Sequence, residues 1–140
     1  MTKVFDVAII GSGPAGASAA FELAKNGIST VIIEKETLPR YKTCGGGFAY
    51  RGRRKMPFDV SSVVEKEFFR VDAFFEKIGV HVVSERKEPI ISMVMRDDFD
   101  NFLVEKAKEH GITLLENHKL KNITFEDNIT LHTTQGDVKT

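Results

Sequence analysis

The sequence predicts an α/β fold built on a parallel β-sheet, and three observations carry that prediction. A short β-branched run, Val4–Ile10, leads into a glycine-rich turn, as a buried parallel strand does. A helical stretch from Pro14 to about Asn26 follows, and a second apolar run, Ser29–Glu34, comes directly after it. Two strands joined through a helix pair in parallel. Further along, short apolar segments with alternating polarity predict antiparallel strands inserted beside that sheet.

Each element has its own signal. In the first helix Ala15, Ala19, Ala20, Leu23 and Ala24 form a small-residue face, and Gly27 stands where a C-terminal cap belongs. Residues 35–57 hold three consecutive glycines, two prolines and a run of basic residues, and they read as a functional loop. In 60–95, Val64, Phe68, Val71, Phe75 and Ile78 lie at helical spacing, but the abundance of valine and phenylalanine favours strands near 68–76, 79–84 and 90–95. Asp97-Asp98 cap a helix that runs to about His110 with Phe99, Phe102, Leu103 and Ala107 on its apolar face, and Gly111 closes it. Ile112–Leu115 is a strand, and Leu120–Phe125 and Ile129–Thr133 form a hairpin through Glu126-Asp127-Asn128. Gln135-Gly136 begins another turn. A parallel sheet needs more strands and covering helices than these residues supply, so the expectation is the N-terminal piece of a longer protein.

With 140 residues the chain is long enough for one modest domain. It is 41% hydrophobic and 29% charged with zero net charge, so no global bias points to nucleic acid. A local basic patch exists all the same: Arg40, Lys42, Arg51, Arg53, Arg54 and Lys55 fall within 40–55 with no acid among them. The single cysteine, Cys44, excludes an internal disulfide and offers no metal-ligand spacing. No run approaches transmembrane length. The expected location is the cytoplasm, with peripheral contact at a membrane surface left open.

The chemistry begins at Gly11-x-Gly13-x-x-Gly16. Three glycines in six residues are common, but here a strand precedes them, a helix follows, and Glu34 stands at the end of the next strand, 18 residues after Gly16. Gly11 permits the tight turn, Gly13 lets backbone approach a pyrophosphate, and Gly16 lets the helix pack on the strand. The helix N-terminus offers free N–H groups to phosphates, and Glu34 is placed to accept from ribose hydroxyls. This is a Rossmann-like dinucleotide unit, equally compatible with FAD and NAD, and its position at the start of the chain is the usual one for FAD.

The loop after it reads Pro39-Arg40-Tyr41-Lys42-x-Cys44-Gly45-Gly46-Gly47, and Arg96-x-x-Phe99-Asp100-x-x-Leu103 follows further on, with Ala107 and Gly111 beyond. With these motifs the chain resembles the geranylgeranyl reductase family, flavoproteins of the p-hydroxybenzoate-hydroxylase type of fold. The resemblance covers most of the chain and implies that 1–140 is the N-terminal part of an FAD-binding domain, with 56–95 a substrate-side insertion. It implies that Gly11, Gly13, Ala15 and Gly16 line the pyrophosphate and that Glu34 holds the adenosine ribose. Arg40 and Arg96 would contact the phosphate and ribose region, and backbone near Leu120 would border the adenine. Cys44, Gly45 and Gly47 would lie beside the isoalloxazine, with Cys44 a candidate catalytic residue close to the substrate. The cofactor implied is FAD, reduced by NADPH or another electron donor, and the substrate a polyprenyl chain whose double bonds are reduced.

Blander roles compete for several residues. A lone cysteine is most often a small buried hydrophobe, although Arg40 and Lys42 nearby favour a thiolate. Tyr41 reads as a packing residue and the phenylalanines of 68–75 as core. His81, His110, His118 and His132 share no ligand-like spacing. Two other functions stay open, a flavin monooxygenase of the same fold and a non-catalytic nucleotide-binding fragment. The oligomeric state is left open as well.

Overall fold

The computed structural model describes residues 3–140. In chain order its elements begin with β1 (Val7–Ile10), α1 (Pro14–Lys25), β2 (Thr30–Ile33), β3 (Gly47–Ala49) and α2 (Tyr50–Arg53). Strands β4 (Lys66–Phe68), β5 (Arg70–Phe75), β6 (Val80–Glu85) and β7 (Ile91–Met93) follow. Then come α3 (Arg96–Lys108), β8 (Thr113–Leu115), β9 (Leu120–Phe125), β10 (Ile129–Thr133) and β11 (Gly136–Lys139). The chain divides into two compact units, one of residues up to Tyr41 with Phe99–Thr140, the other Lys42–Asp98.

In the first unit β1, β2 and β8 form a parallel sheet in that order, in register Ile9↔Ile32 and Ile33↔Leu115. The central strand β2 is buried along its whole length, which is why it is the one unbroken β-branched run of the chain. A second, antiparallel sheet of β9, β10 and β11 packs its apolar residues against the first: Leu131 and Val138 share a core with Phe5, Val31 and Ile33. Burying these side chains stabilises the unit by roughly 1.5–3 kcal/mol each.

Helix α1 ends as the sequence predicts, with Asn26 as cap and Gly27 at φ +77°. Its buried face differs from the expected one. Ala17, Ala20 and Phe21 are buried, whereas Ala15 and Ala19 are exposed. Alanines fill both sides of this helix, so composition alone does not mark the packed side, and the close approach at Gly16 rotates it. Helix α3 starts at Arg96, so Asp97 and Asp98 lie in its first turn, where they complement the helix dipole. Val104 joins its buried face and Phe102 is only half-buried. The turn at Gly136 leads into a further strand, β11, too short and polar for its alternation to show in the sequence.

The second unit carries β3, β7 and β4 as an antiparallel sheet and β5–β6 as a separate hairpin. The stretch expected to be loop therefore contains a strand and a short helix. Strand β3 is glycine-led and finds its partner in β7, more than forty residues away. Arg53 ties the unit together by bonding Glu67, Ser92 Oγ at 3.0 Å and Ser61 Oγ at 2.9 Å. The phenylalanines of 68–75 are not core: Phe74 is 69% exposed, and Ile78 at the turn is 71% exposed. A two-stranded hairpin has one layer, so it buries neither face by itself.

Candidate functional site

The strand–turn–helix at Gly11–Gly16 is drawn as tightly as backbone allows. Gly11 sits at φ +95°, a conformation that favours glycine. A side chain on Gly16 would begin 2.1 Å from the Gly11 carbonyl oxygen and 3.2 Å from Ile9 Cγ2. Gly13 caps α1 with no side-chain bond to the first turn, so no cap side chain takes up the N–H groups there. Ala15 is exposed in that same first turn.

Glu34 ends β2 and is only 3% exposed. Its Oε2 accepts from the Ser12 backbone N–H at 2.9 Å and the Ser12 hydroxyl at 2.6 Å, and its Oε1 accepts from Glu36 N–H at 3.0 Å. Burial pushes this carboxyl up, but the Ser12 hydroxyl and N–H, the Glu36 N–H and the nearby Arg40 charge outweigh burial and hold it below the usual carboxylate range. It is therefore a fixed anion at neutral pH with acceptor capacity left over.

Arg40 lies between two acids. Its Nε is 3.6 Å from Glu34 Oε2, and its Nη2 is 3.3 Å from Asp100 Oδ2. Nη2 also lies 3.8 Å from where a side chain on Gly13 would begin, so the guanidinium covers the start of α1. Its third nitrogen, Nη1, is buried and meets no acceptor among the described residues. A buried guanidinium donor without an acceptor is costly, and a phosphate or ribose oxygen is the kind of group that satisfies it.

Motif reading misses Ser12 and places Asp100 only within the Arg96 motif, without a role of its own. Asp100 projects from the buried face of α3 and is fully buried. An acid in the middle of an apolar helix face, at Phe99-Asp100-x-x-Leu103, was the available signal, because such a charge needs a partner. Ser12 occupies a variable place between two glycines and carries no signal until Glu34 is placed beside it.

In the second unit, Cys44 is exposed, and Gly46 N–H donates to its Sγ at 3.5 Å. The exposure corrects the buried-hydrophobe alternative. The three glycines that follow differ from one another. Gly46 has φ +72°, and a side chain there would meet Val94 O at 2.0 Å; its own carbonyl accepts from Val94 N–H at 3.0 Å. Gly45 has nothing within 4 Å of a side-chain position, and Gly47 only Ile91 Cγ2 at 3.8 Å. Packing of the chain thus accounts for Gly46 and leaves Gly45 and Gly47 open. Tyr41 is 84% exposed, against the packing role expected for it. Arg96 is half-buried at the start of α3. Leu120 turns its side chain to the core of the first unit, while its backbone pairs with Thr133 at an irregularity in the β9–β10 ladder.

These residues fit an adenine dinucleotide: a fixed carboxylate for ribose, an unsatisfied guanidinium nitrogen for phosphate, and a helix start that only glycine can form. Among the described residues no group of histidine, cysteine or acidic side chains could hold a metal ion, and no helix is long and apolar enough to cross a membrane.

Comparison with known proteins agrees with the geometry. Residues 4–137 match the FAD binding domain family. The chain is 33% identical over 141 aligned positions to the chloroplastic geranylgeranyl diphosphate reductase of Arabidopsis thaliana, covering 96% of this chain and 29% of that protein. It is 37% identical over 120 positions to a 1H-pyrrole-2-carbonyl peptidyl-carrier-protein brominase of Pseudoalteromonas luteoviolacea, covering 79% of this chain and 28% of that one. In fold it superposes on a geranylgeranyl bacteriochlorophyll reductase-like protein of Thermoplasma acidophilum with a TM-score of 0.85, at 20% identity over 99% of this chain and 37% of that one. The chain spans about a third of the length of the proteins it matches.

Proposed function

Since the chain belongs to the FAD binding domain family, we propose that it serves an FAD-dependent oxidoreductase that reduces isolated carbon–carbon double bonds of a geranylgeranyl or similar polyprenyl chain. The observation that carries this reading is the Cys44–Gly47 loop, whose second and fourth residues are glycines that the chain's own packing does not require. A flat ring approaching Gly45 and Gly47 explains them, and the similarity to a geranylgeranyl diphosphate reductase supplies the substrate class.

FAD held there would supply hydride chemistry toward an alkene carbon, with NADPH or another donor as its reductant and an acid as the proton source for the other carbon. The residues of this chain bind and orient. Ser12 fixes the Glu34 carboxylate, which takes the adenosine ribose. Arg40 meets phosphate with the nitrogen left without a partner, and Asp100 holds the guanidinium in place. The Cys44 thiol, exposed at the glycine loop, lies on the substrate side of the ring in this reading.

The test is turnover of the flavin-loaded protein with NADPH and a geranylgeranyl substrate, run without oxygen and again in air, and read by mass spectrometry. Products heavier by pairs of hydrogens are expected. Similarity to a brominase favours a second reading, in which reduced flavin reacts with oxygen. An oxygen-dependent hydroxylated or halogenated product would establish that reading and remove the first. A purified chain without flavin absorbance would speak against both.

A further inference from the structure

Beside the glycine loop, the second unit carries a cationic pocket that the flavin reading does not use. Arg51 and Arg54 of the α2 turn, Lys55 after it, and Arg86 beyond β6 line one open depression of about 640 Å³. Glu88 is the one acid in its lining, and Tyr50 adds a hydroxyl. The fold brings these segments together through β3 and β7: Ala49 pairs with Ile91, and Tyr50 N–H donates to Ile90 O at 3.2 Å. That ladder sets 50–55 against 86–90 across some 35 residues of sequence.

Arg53, in the midst of this run, is neutralised by Glu67. The other four cations have no ion pair among the described residues, while Glu85, which could have served Arg86, goes to Arg70 at 3.5 Å. Four cations facing one carboxylate repel each other, and a multivalent anion removes that repulsion. Three guanidiniums favour phosphate oxygens in particular, because the planar fork matches two oxygens at once. Ala49 and Ile90 give the same pocket an apolar side, suited to a phosphate carried on a hydrocarbon.

We propose that this pocket binds a diphosphate group. Assigning that group to a polyprenyl diphosphate substrate rests on the function proposed above; the pocket's preference for diphosphate does not.

The flavin-loaded chain is titrated calorimetrically with inorganic pyrophosphate, with FAD already occupying its own site. The wild type should bind saturably and weaken as salt rises. The triple variant R51Q/R54Q/R86Q should lose about tenfold or more in affinity. Glu88→Gln should bind about two- to threefold more tightly. All four positions are exposed, and circular dichroism checks that the variants stay folded. Geranylgeranyl diphosphate should then displace pyrophosphate, and NADPH should not. No saturable pyrophosphate binding, or equal binding by the triple variant, overturns the site. Displacement by NADPH alone keeps the diphosphate site and overturns its assignment to the substrate. An oxygen-dependent product in the turnover assay removes the reductase reading and leaves the pyrophosphate result standing.

Discussion

Replacing Gly45 by alanine adds one methyl group at a place where nothing of the chain lies within 4 Å. Gly45 is not among the glycines with positive φ, so alanine adopts its backbone conformation without strain. Folding stability of the flavin-free chain should therefore hold, or rise by about 0.4–1 kcal/mol as the unfolded state loses freedom. A ring stacked on the loop would have to retreat from the new methyl, and overpacking of that kind costs about 1–3 kcal/mol. That corresponds to roughly 5- to 150-fold weaker FAD binding. Gly46→Ala provides the contrast: its methyl meets Val94 O at 2.0 Å at φ +72°, so the fold itself suffers. Left-handed strain and overpacking together predict a loss of about 2–5 kcal/mol. The assay pairs urea unfolding of the flavin-free chains with fluorescence titration of FAD. Equal FAD affinity for Gly45→Ala and wild type, or a stability loss matching Gly46→Ala, would refute the placement of the ring.

Three further outcomes are expected. Gly16→Ala puts a methyl 2.1 Å from the Gly11 carbonyl and must push α1 off β1, so both the urea midpoint and FAD binding should fall, by about 1–3 kcal/mol in stability. Asp100→Asn leaves the Arg40 guanidinium with Glu34 as its one remaining acid and should destabilise the chain by up to about 3 kcal/mol, a loss that added FAD recovers in part if phosphate reaches Arg40; equilibrium unfolding with and without FAD measures it. Glu34 has a folded-state pKa below its ordinary value of 4.5, so the stability its bonds contribute is complete above that value and is lost as pH falls through the lower folded value. The acid limb of a stability–pH profile should shrink in Glu34→Gln, and an unchanged limb would show that another carboxylate sets it.

How much of this was legible in the sequence depends on how far apart the cooperating residues lie. The β1–α1–β2 unit was readable because its signals are local: glycines at fixed spacing, a capped helix, a β-branched run and an acid at its end. The three strands between 68 and 95 were placed nearly correctly against a competing helical spacing, because valine and phenylalanine fit a pleated strand better than a helix. Strand β3 was invisible, since Gly47-Phe48-Ala49 has no strand character and is a strand only through β7. The exposure of Phe74 and Tyr41 was equally out of reach, because apolar character says what a side chain prefers and not whether a neighbour arrives to cover it.

The same distinction explains why the candidate site was half seen. Glycine motifs report where backbone must turn or come close, so they exposed Gly11, held at φ +95°, and Gly16, whose constraint the structure shows as a contact. They do not say which of several glycines is held by the protein and which is kept for a ligand. In Gly45-Gly46-Gly47 that assignment required coordinates, and it fell on the middle residue alone. Charges behave in the opposite way. The resemblance places Arg40 at the phosphate and ribose region, and what would let it serve there is a buried nitrogen left over after Glu34 and Asp100 have taken the others. Asp100 would thus serve a phosphate without touching it: with Glu34 at Nε and Asp100 at Nη2, Nη1 is the nitrogen that remains to bind.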